Sequence, residues 1–247
     1  MKRCHGERRR SGVSPRPFRE RRHVVPEWLD LMAVVVGALA GVLVAAERDL
    51  DLVGFIGMCL ICALGGGLIR DVIMQVGDVY VLNSVWPILV SVITALLGFT
   101  FPHAVRHFPN LYEWVDMFSV ALFVVAGASK AVAYGLHAPA VLLMGTLTGV
   151  GGGMLRDVVL GEIPQVFRRS NLYALCAVAG SFCFLWCSRT LRLEDTVSVV
   201  ATVATVVLLR RISLRYDIKS PTGIGLEDKV IDVRNQLRKR KDKRNRP

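Results

Sequence analysis

The sequence predicts an all-α polytopic membrane protein, with seven transmembrane helices arranged as a three-plus-three inverted repeat plus one. Three observations predict it. First, 53% of the 247 residues are hydrophobic and only 8% aromatic, so Leu, Val, Ile and Ala carry the apolarity. Second, apolar runs recur near 29–46, 53–75, 86–101, 115–134, 138–160, 172–188 and 196–209, with lengths that suit membrane spans. Lipid offers the backbone no hydrogen-bond partner, so such runs are helices. Third, one stretch occurs twice: GGGLIRDV at Gly65–Val72 and GGGMLRDV at Gly151–Val158.

Residues 1–28 come first, polar and rich in Arg and Pro, and their composition predicts a disordered basic extension. The run from Leu29 is long for a cleaved signal core and its pattern returns in mid-chain, so it is read as the first span. The first three-helix repeat covers 29–101, a linker covers 102–114 and the second repeat covers 115–188. Subtracting 65 from 151 gives an offset of 86, which holds without gaps well beyond the glycines. It lays Asp30 on Asp116, Val34 on Val120, Ala40–Gly41 on Ala126–Gly127, Met58 on Met144 and Ser84 on Ser170. The two aspartates stand where the first and fourth spans begin, which suits a helix N-cap or a helix N-terminus. Three spans per copy is an odd number, so the second copy enters the membrane from the opposite side. A seventh span, 196–211, opens after Asp195 and stops at Arg210–Arg211; a basic tail, 212–247, follows.

The formal charge of +11 is concentrated at the two ends. Basic ends around an apolar body point to the cytoplasm and to anionic membrane lipids, and no recognition module for nucleic acid accompanies them. Arg48, Arg106, Arg168–Arg169 and the tail fall on one side of the membrane, which predicts a cytoplasmic C-terminus in the cell membrane. The nine Lys or Arg within residues 1–22 then lie on the other side, against the rule, so that extension is read as an appendage.

No cofactor, metal or catalytic set emerges. Cys59 and Cys62 form C-x-x-C without a second pair. His103 and His107 lie in a Pro-bounded loop, and no P-loop or dinucleotide fingerprint is present. The protein is therefore read as no enzyme.

The candidate site is the duplicated stretch. Gly65, Gly66, Gly67 and Gly151, Gly152, Gly153 fall near the middle of their spans, where they predict breaks that free main-chain carbonyls toward an ion or substrate path. The competing reading is close helix packing, which also suits Gly37 and Gly41. Arg70–Asp71 and Arg156–Asp157 follow directly; adjacent residues leave a helix about 100° apart. That leaves two readings: pairing across the repeats, Arg70 with Asp157 and Arg156 with Asp71, or snorkelling of these charges to the membrane interface. Lys130 aligns with Val44 and breaks the symmetry, which makes it a candidate gate.

The paired GGG-x-x-RDV, the GEIPQVFR ending at Gly161–Arg168 and the small-residue first span with Ala40–Gly41 resemble a bacterial membrane family. It carries two tandem glycine-transporter domains and is related to the trimeric intracellular cation channels. The resemblance spans residues 29–210; after Val72 the first copy departs, with Met74-Gln-Val-Gly-Asp where the family has Leu-Gly-x-x-Pro. It implies a homotrimer, each protomer with a pore lined at Gly65–Gly67 and Gly151–Gly153. The expected function is passage of a small monovalent, potassium-like cation. The domain's name implies glycine uptake instead, and a non-transporting scaffold is the third class.

Overall fold

The computed structural model describes residues 27–76, 79–101, 110–168 and 172–216. The N-terminal extension and most of the linker and basic tail expected from the sequence lie outside them. The described residues form seven long helices: α1 (Glu27–Glu47), α2 (Leu52–Met74), α3 (Trp86–Thr100), α4 (Leu111–Ala133), α5 (Ala138–Val159), α6 (Tyr173–Trp186) and α7 (Asp195–Arg215). One turn of helix, Tyr80–Asn83, precedes α3, and a π turn, Cys187–Leu191, extends α6.

Local chemistry sets the boundaries. Asp51 accepts a hydrogen bond from the Gly54 N–H (2.8 Å), capping α2, which ends at Gln75 in the left-handed region (φ 47°). Prolines stand in the first turns of α3 and α5, where a missing N–H is harmless. Gly161, with φ 71°, turns the chain sharply after α5, a conformation that a side chain would strain. Six of the helices, α6 with its π turn included, are long and apolar enough to cross a membrane. The 15 residues of α3 make it the short one, spanning about 22 Å against a hydrocarbon core of about 30 Å.

The packing has the symmetry of the duplication. Contacts of α1 with α2 and α3, and of α2 with α3, are repeated by α4 with α5 and α6, and α5 with α6. The copies meet through α2 against α5 and α1 against α4, while α7 lies on α4 and α6. Within each copy a glycine permits the first contact. A Cβ on Gly41 would lie 2.6 Å from the Cys59 Cα, and one on Gly127 would lie 2.7 Å from the Met144 carbonyl.

Side chains also sort the two ends of the bundle. Glu162, after α5, pairs with Arg48 of the α1–α2 loop and with Arg168 (2.9 Å). At the same end Arg210 and Arg211 of α7 stack on Tyr173 and Trp114, at the starts of α6 and α4. Arg189 donates to the Leu136 carbonyl at the other end. Arg48, Arg168 and the end of α7 thus share one face of the bundle.

Candidate functional site

The glycine triplets do not break their helices. α2 runs unbroken through Gly65–Gly67 and α5 through Gly151–Gly153, so the expected breaks and freed carbonyls are corrected. What the missing side chains permit is a close crossing. A Cβ on Gly66 would fall 2.3 Å from the Thr148 carbonyl oxygen, and one on Gly152 would fall 2.7 Å from that of Cys62. Shifting one of these contacts by the repeat offset produces the other, so the crossing lies on the pseudo-twofold axis. In lipid a helix keeps its own hydrogen bonds unless something else satisfies them. Here the facing backbone fills the glycine notch without opening the ladder.

Beside the crossing lie two cavities of about 280 Å³ each, open mouths included. The enclosed space in each is about 10 Å³, room for about one water molecule. The first is bordered by Asp30, Val34, Ala63, Gly67 and Arg70, the second by Asp116, Val120, Gly149, Gly153 and Arg156. Position by position these sets differ by the offset of the duplication, so the cavities are symmetry mates. The ends of α1 and α2 that carry the first lie opposite the ends of α4 and α5 that carry the second. Of the six candidate glycines, Gly67 and Gly153 border a cavity, Gly65, Gly66 and Gly151 serve the crossing, and Gly152 does both.

Each cavity ends in a buried ionic cluster. Arg70 and Arg156 are 2% and 3% exposed, so their charges need partners in place. Arg70 Nε donates to Asp71 Oδ1 (2.7 Å) and Nη1 to Asp30 Oδ1 (3.3 Å). Arg156 Nη2 donates to Asp157 Oδ1 (2.7 Å), and its Nη1 lies 3.7 Å from Asp116 Oδ1. The second oxygen of each inner carboxylate accepts a main-chain N–H: Asp71 from Tyr80 (3.0 Å), Asp157 from Gln165 (2.8 Å). Each aspartate thereby ties the segment that follows its helix back onto the bundle.

Two expectations are corrected here. The arginines pair with their own neighbours and not across the repeats, because the long guanidinium stem swings back to reach the next residue's carboxylate. Asp30 and Asp116 are not N-caps. α1 starts at Glu27 and α4 at Leu111, so both aspartates lie inside their helices and turn to the arginines. The signal was available: each aspartate precedes its arginine by the same separation, since 70 − 30 and 156 − 116 are both 40.

The clusters differ in their added groups. Lys130 Nζ donates to Asp71 Oδ1 (2.7 Å), giving the first cluster two cations against two carboxylates. The second has Tyr112 under the Arg156 guanidinium (5.5 Å to the ring centroid), and Tyr173 bordering the cavity with Arg210 stacked on its ring (4.7 Å). Phe123 borders both cavities, and no sequence pattern had singled it out.

Seven apolar helices, six of them in an inverted repeat with a small charged cavity toward each end, define a polytopic membrane protein of the duplicated three-helix class. The sequence matches the glycine transporter family over residues 27–103 and 113–189, and the chain belongs to that family. It is 31% identical over 197 residues to the UPF0126 inner membrane protein YadS of Escherichia coli (strain K12), covering 79% of this chain and 94% of that one. It is 36% identical over 155 residues to a UPF0126 membrane protein of Deinococcus radiodurans, covering 62% and 72%. Among solved structures it resembles the trimeric intracellular cation channel orthologue from Rhodobacter sphaeroides. That likeness has a TM-score of 0.71 and 27% identity and covers 78% of this chain and 98% of that one. A prokaryotic channel of the same type, crystallised in 0.5 M KCl, aligns with a TM-score of 0.67 and 27% identity over 77% and 96%.

Proposed function

We propose that the protein is a passive pathway for a small monovalent cation, potassium-like, running through each protomer of a homotrimer in the cytoplasmic membrane. The observation that carries this reading is the pair of matched polar cavities, one toward each end of an otherwise apolar bundle. Buried charge in a membrane helix costs about 2.5–3.5 kcal/mol per residue, and a purely structural helix pair has no need of it twice. The likeness to solved cation channels supports the same reading.

In this proposal the ion is met by carboxylates rather than by freed glycine carbonyls. Asp30 and Asp71 border one cavity beside Arg70, and Asp116 borders the other beside Arg156, so the arginine charge is offset where a cation passes. Lys130 is the proposed gate. Its ammonium occupies Asp71 as an entering cation would, and displacing it uncovers the carboxylate. The face carrying Arg48, Arg168 and the end of α7 is taken as cytoplasmic, with the basic tail beyond Arg215 toward anionic lipids.

Glycine uptake is the second reading, favoured by one observation: each cavity offers a guanidinium and a carboxylate, the two groups a zwitterion needs. Purified protein in liposomes separates the two, with potassium flux and labelled-glycine uptake measured side by side. Potassium flux without saturable glycine uptake is expected. Saturable, competable glycine uptake without ion conductance would install the second reading, and neither activity would leave a scaffold.

A further inference from the structure

We infer that the Phe123 ring is the partition that closes a single path between the two cavities, and that the path opens when the ring leaves its seat. This rests on the transport reading above and adds, to the Lys130 gate, a closure between the cavities. The placement follows from the duplication. Subtracting 86 from 123 gives 37, so the symmetry mate of Phe123 is Gly37. The two face each other: a Cβ on Gly37 would lie 3.0 Å from Phe123 Cε2. A residue that touches its own symmetry mate sits on the pseudo-twofold axis, between halves that otherwise copy each other. That is why Phe123 borders both cavities, while Asp30, Val34, Ala63, Gly67 and Arg70 of the first each have a mate in the second.

The axis position holds one bulky group and one empty one. Gly37 cannot share the task, because a Cβ there would also lie 3.0 Å from the Cys62 carbonyl oxygen. Phe123 itself is 5% exposed and apolar on both faces, with the Arg70 cluster on one side and the Arg156 cluster on the other. An apolar constriction between two charged cavities stops ions by dewetting. Moving the ring joins them without disturbing either ionic cluster, since Phe123 belongs to neither.

The test uses full-length protein in liposomes, with potassium flux read by an internal dye for wild type, Phe123→Ala and Phe123→Trp. Phe123→Ala is expected to raise flux about tenfold and Phe123→Trp to lower it. A second readout does not depend on flux. In a cysteine-free background, Ser119→Cys places a thiol in the second cavity. A membrane-impermeant charged thiol reagent is then added to right-side-out or inverted vesicles. Labelling from one side only is expected with Phe123, and from both sides with Phe123→Ala.

One-sided labelling and unchanged flux in Phe123→Ala, with wild type still passing potassium, would overturn the partition and leave the cation reading standing. Two-sided labelling with no potassium flux in any variant would uphold the partition and remove the cation reading. Should Phe123→Ala fail to fold, Phe123→Trp decides: lowered flux supports the partition, and wild-type flux overturns it.

Discussion

The two repeats carry the same frame and differ in what has been added to it. In both, an arginine near the end of the second helix holds its neighbouring aspartate and reaches an aspartate from the first helix. In both, that neighbour accepts an N–H from the segment that follows. The additions are local. Lys130 reinforces the first cluster, aromatic rings and Arg210 attend the second, and Phe123 stands opposite Gly37 on the axis. The shared groups hold two helices and the segment after the second together in each copy. Of the unshared ones Phe123 borders both cavities, and in the proposed pathway the differences between copies, more than their likeness, mark where control resides.

Four substitutions break or sharpen that comparison. The largest effect is expected from Arg156→Ala, which leaves Asp116 and Asp157 buried without their guanidinium; stripping one partner from such a cluster costs about 3–5 kcal/mol. Arg70→Ala is expected to cost less, because Lys130 still serves Asp71. Thermal unfolding in detergent compares the two, and equal losses would show that Lys130 is no substitute. Next is Gly66→Ala, whose methyl group would overlap the Thr148 carbonyl at 2.3 Å and force α2 from α5 at about 1–3 kcal/mol. Gly67→Ala meets nothing within 4 Å and is expected to be neutral or to gain up to about 1 kcal/mol in helix propensity.

A double-mutant cycle follows. Arg70→Ala with Asp71→Ala is expected to couple by about 0.5–3 kcal/mol, whereas Arg70→Ala with Asp157→Ala should add within about 0.5 kcal/mol. Coupling in the second cycle would restore pairing across the repeats. Smallest is Glu162→Gln at the surface, expected to cost at most about 1 kcal/mol and to lose even that in high salt.

Much of this was legible in the sequence. Apolar run lengths locate the spans, and the offset of 86 locates the inverted repeat and both Arg-Asp pairs. What hid the rest was tertiary. Three glycines in a row have the same local meaning whether a helix breaks or another helix lies against it. Only the carbonyls of Cys62 and Thr148, brought there by the other copy, decide the matter. Asp30 and Asp116 look like caps because local spacing places them near helix starts, while their partners lie 40 residues on. Phe123 carries no motif and becomes visible when the offset is used to ask which residue faces its own counterpart.

The axis imposes a rule on how such a molecule can be encoded. Two identical half-length chains, inserted upside down relative to each other, could rebuild the glycine crossing and both ionic clusters. They could not rebuild the centre. Two phenylalanines would compete for one space, two glycines would leave a hole through the middle, and a closable partition needs one of each. Joining the halves in a single polypeptide lets the central pair become unlike, so a plug at the axis is open to a fused chain and closed to a symmetric dimer.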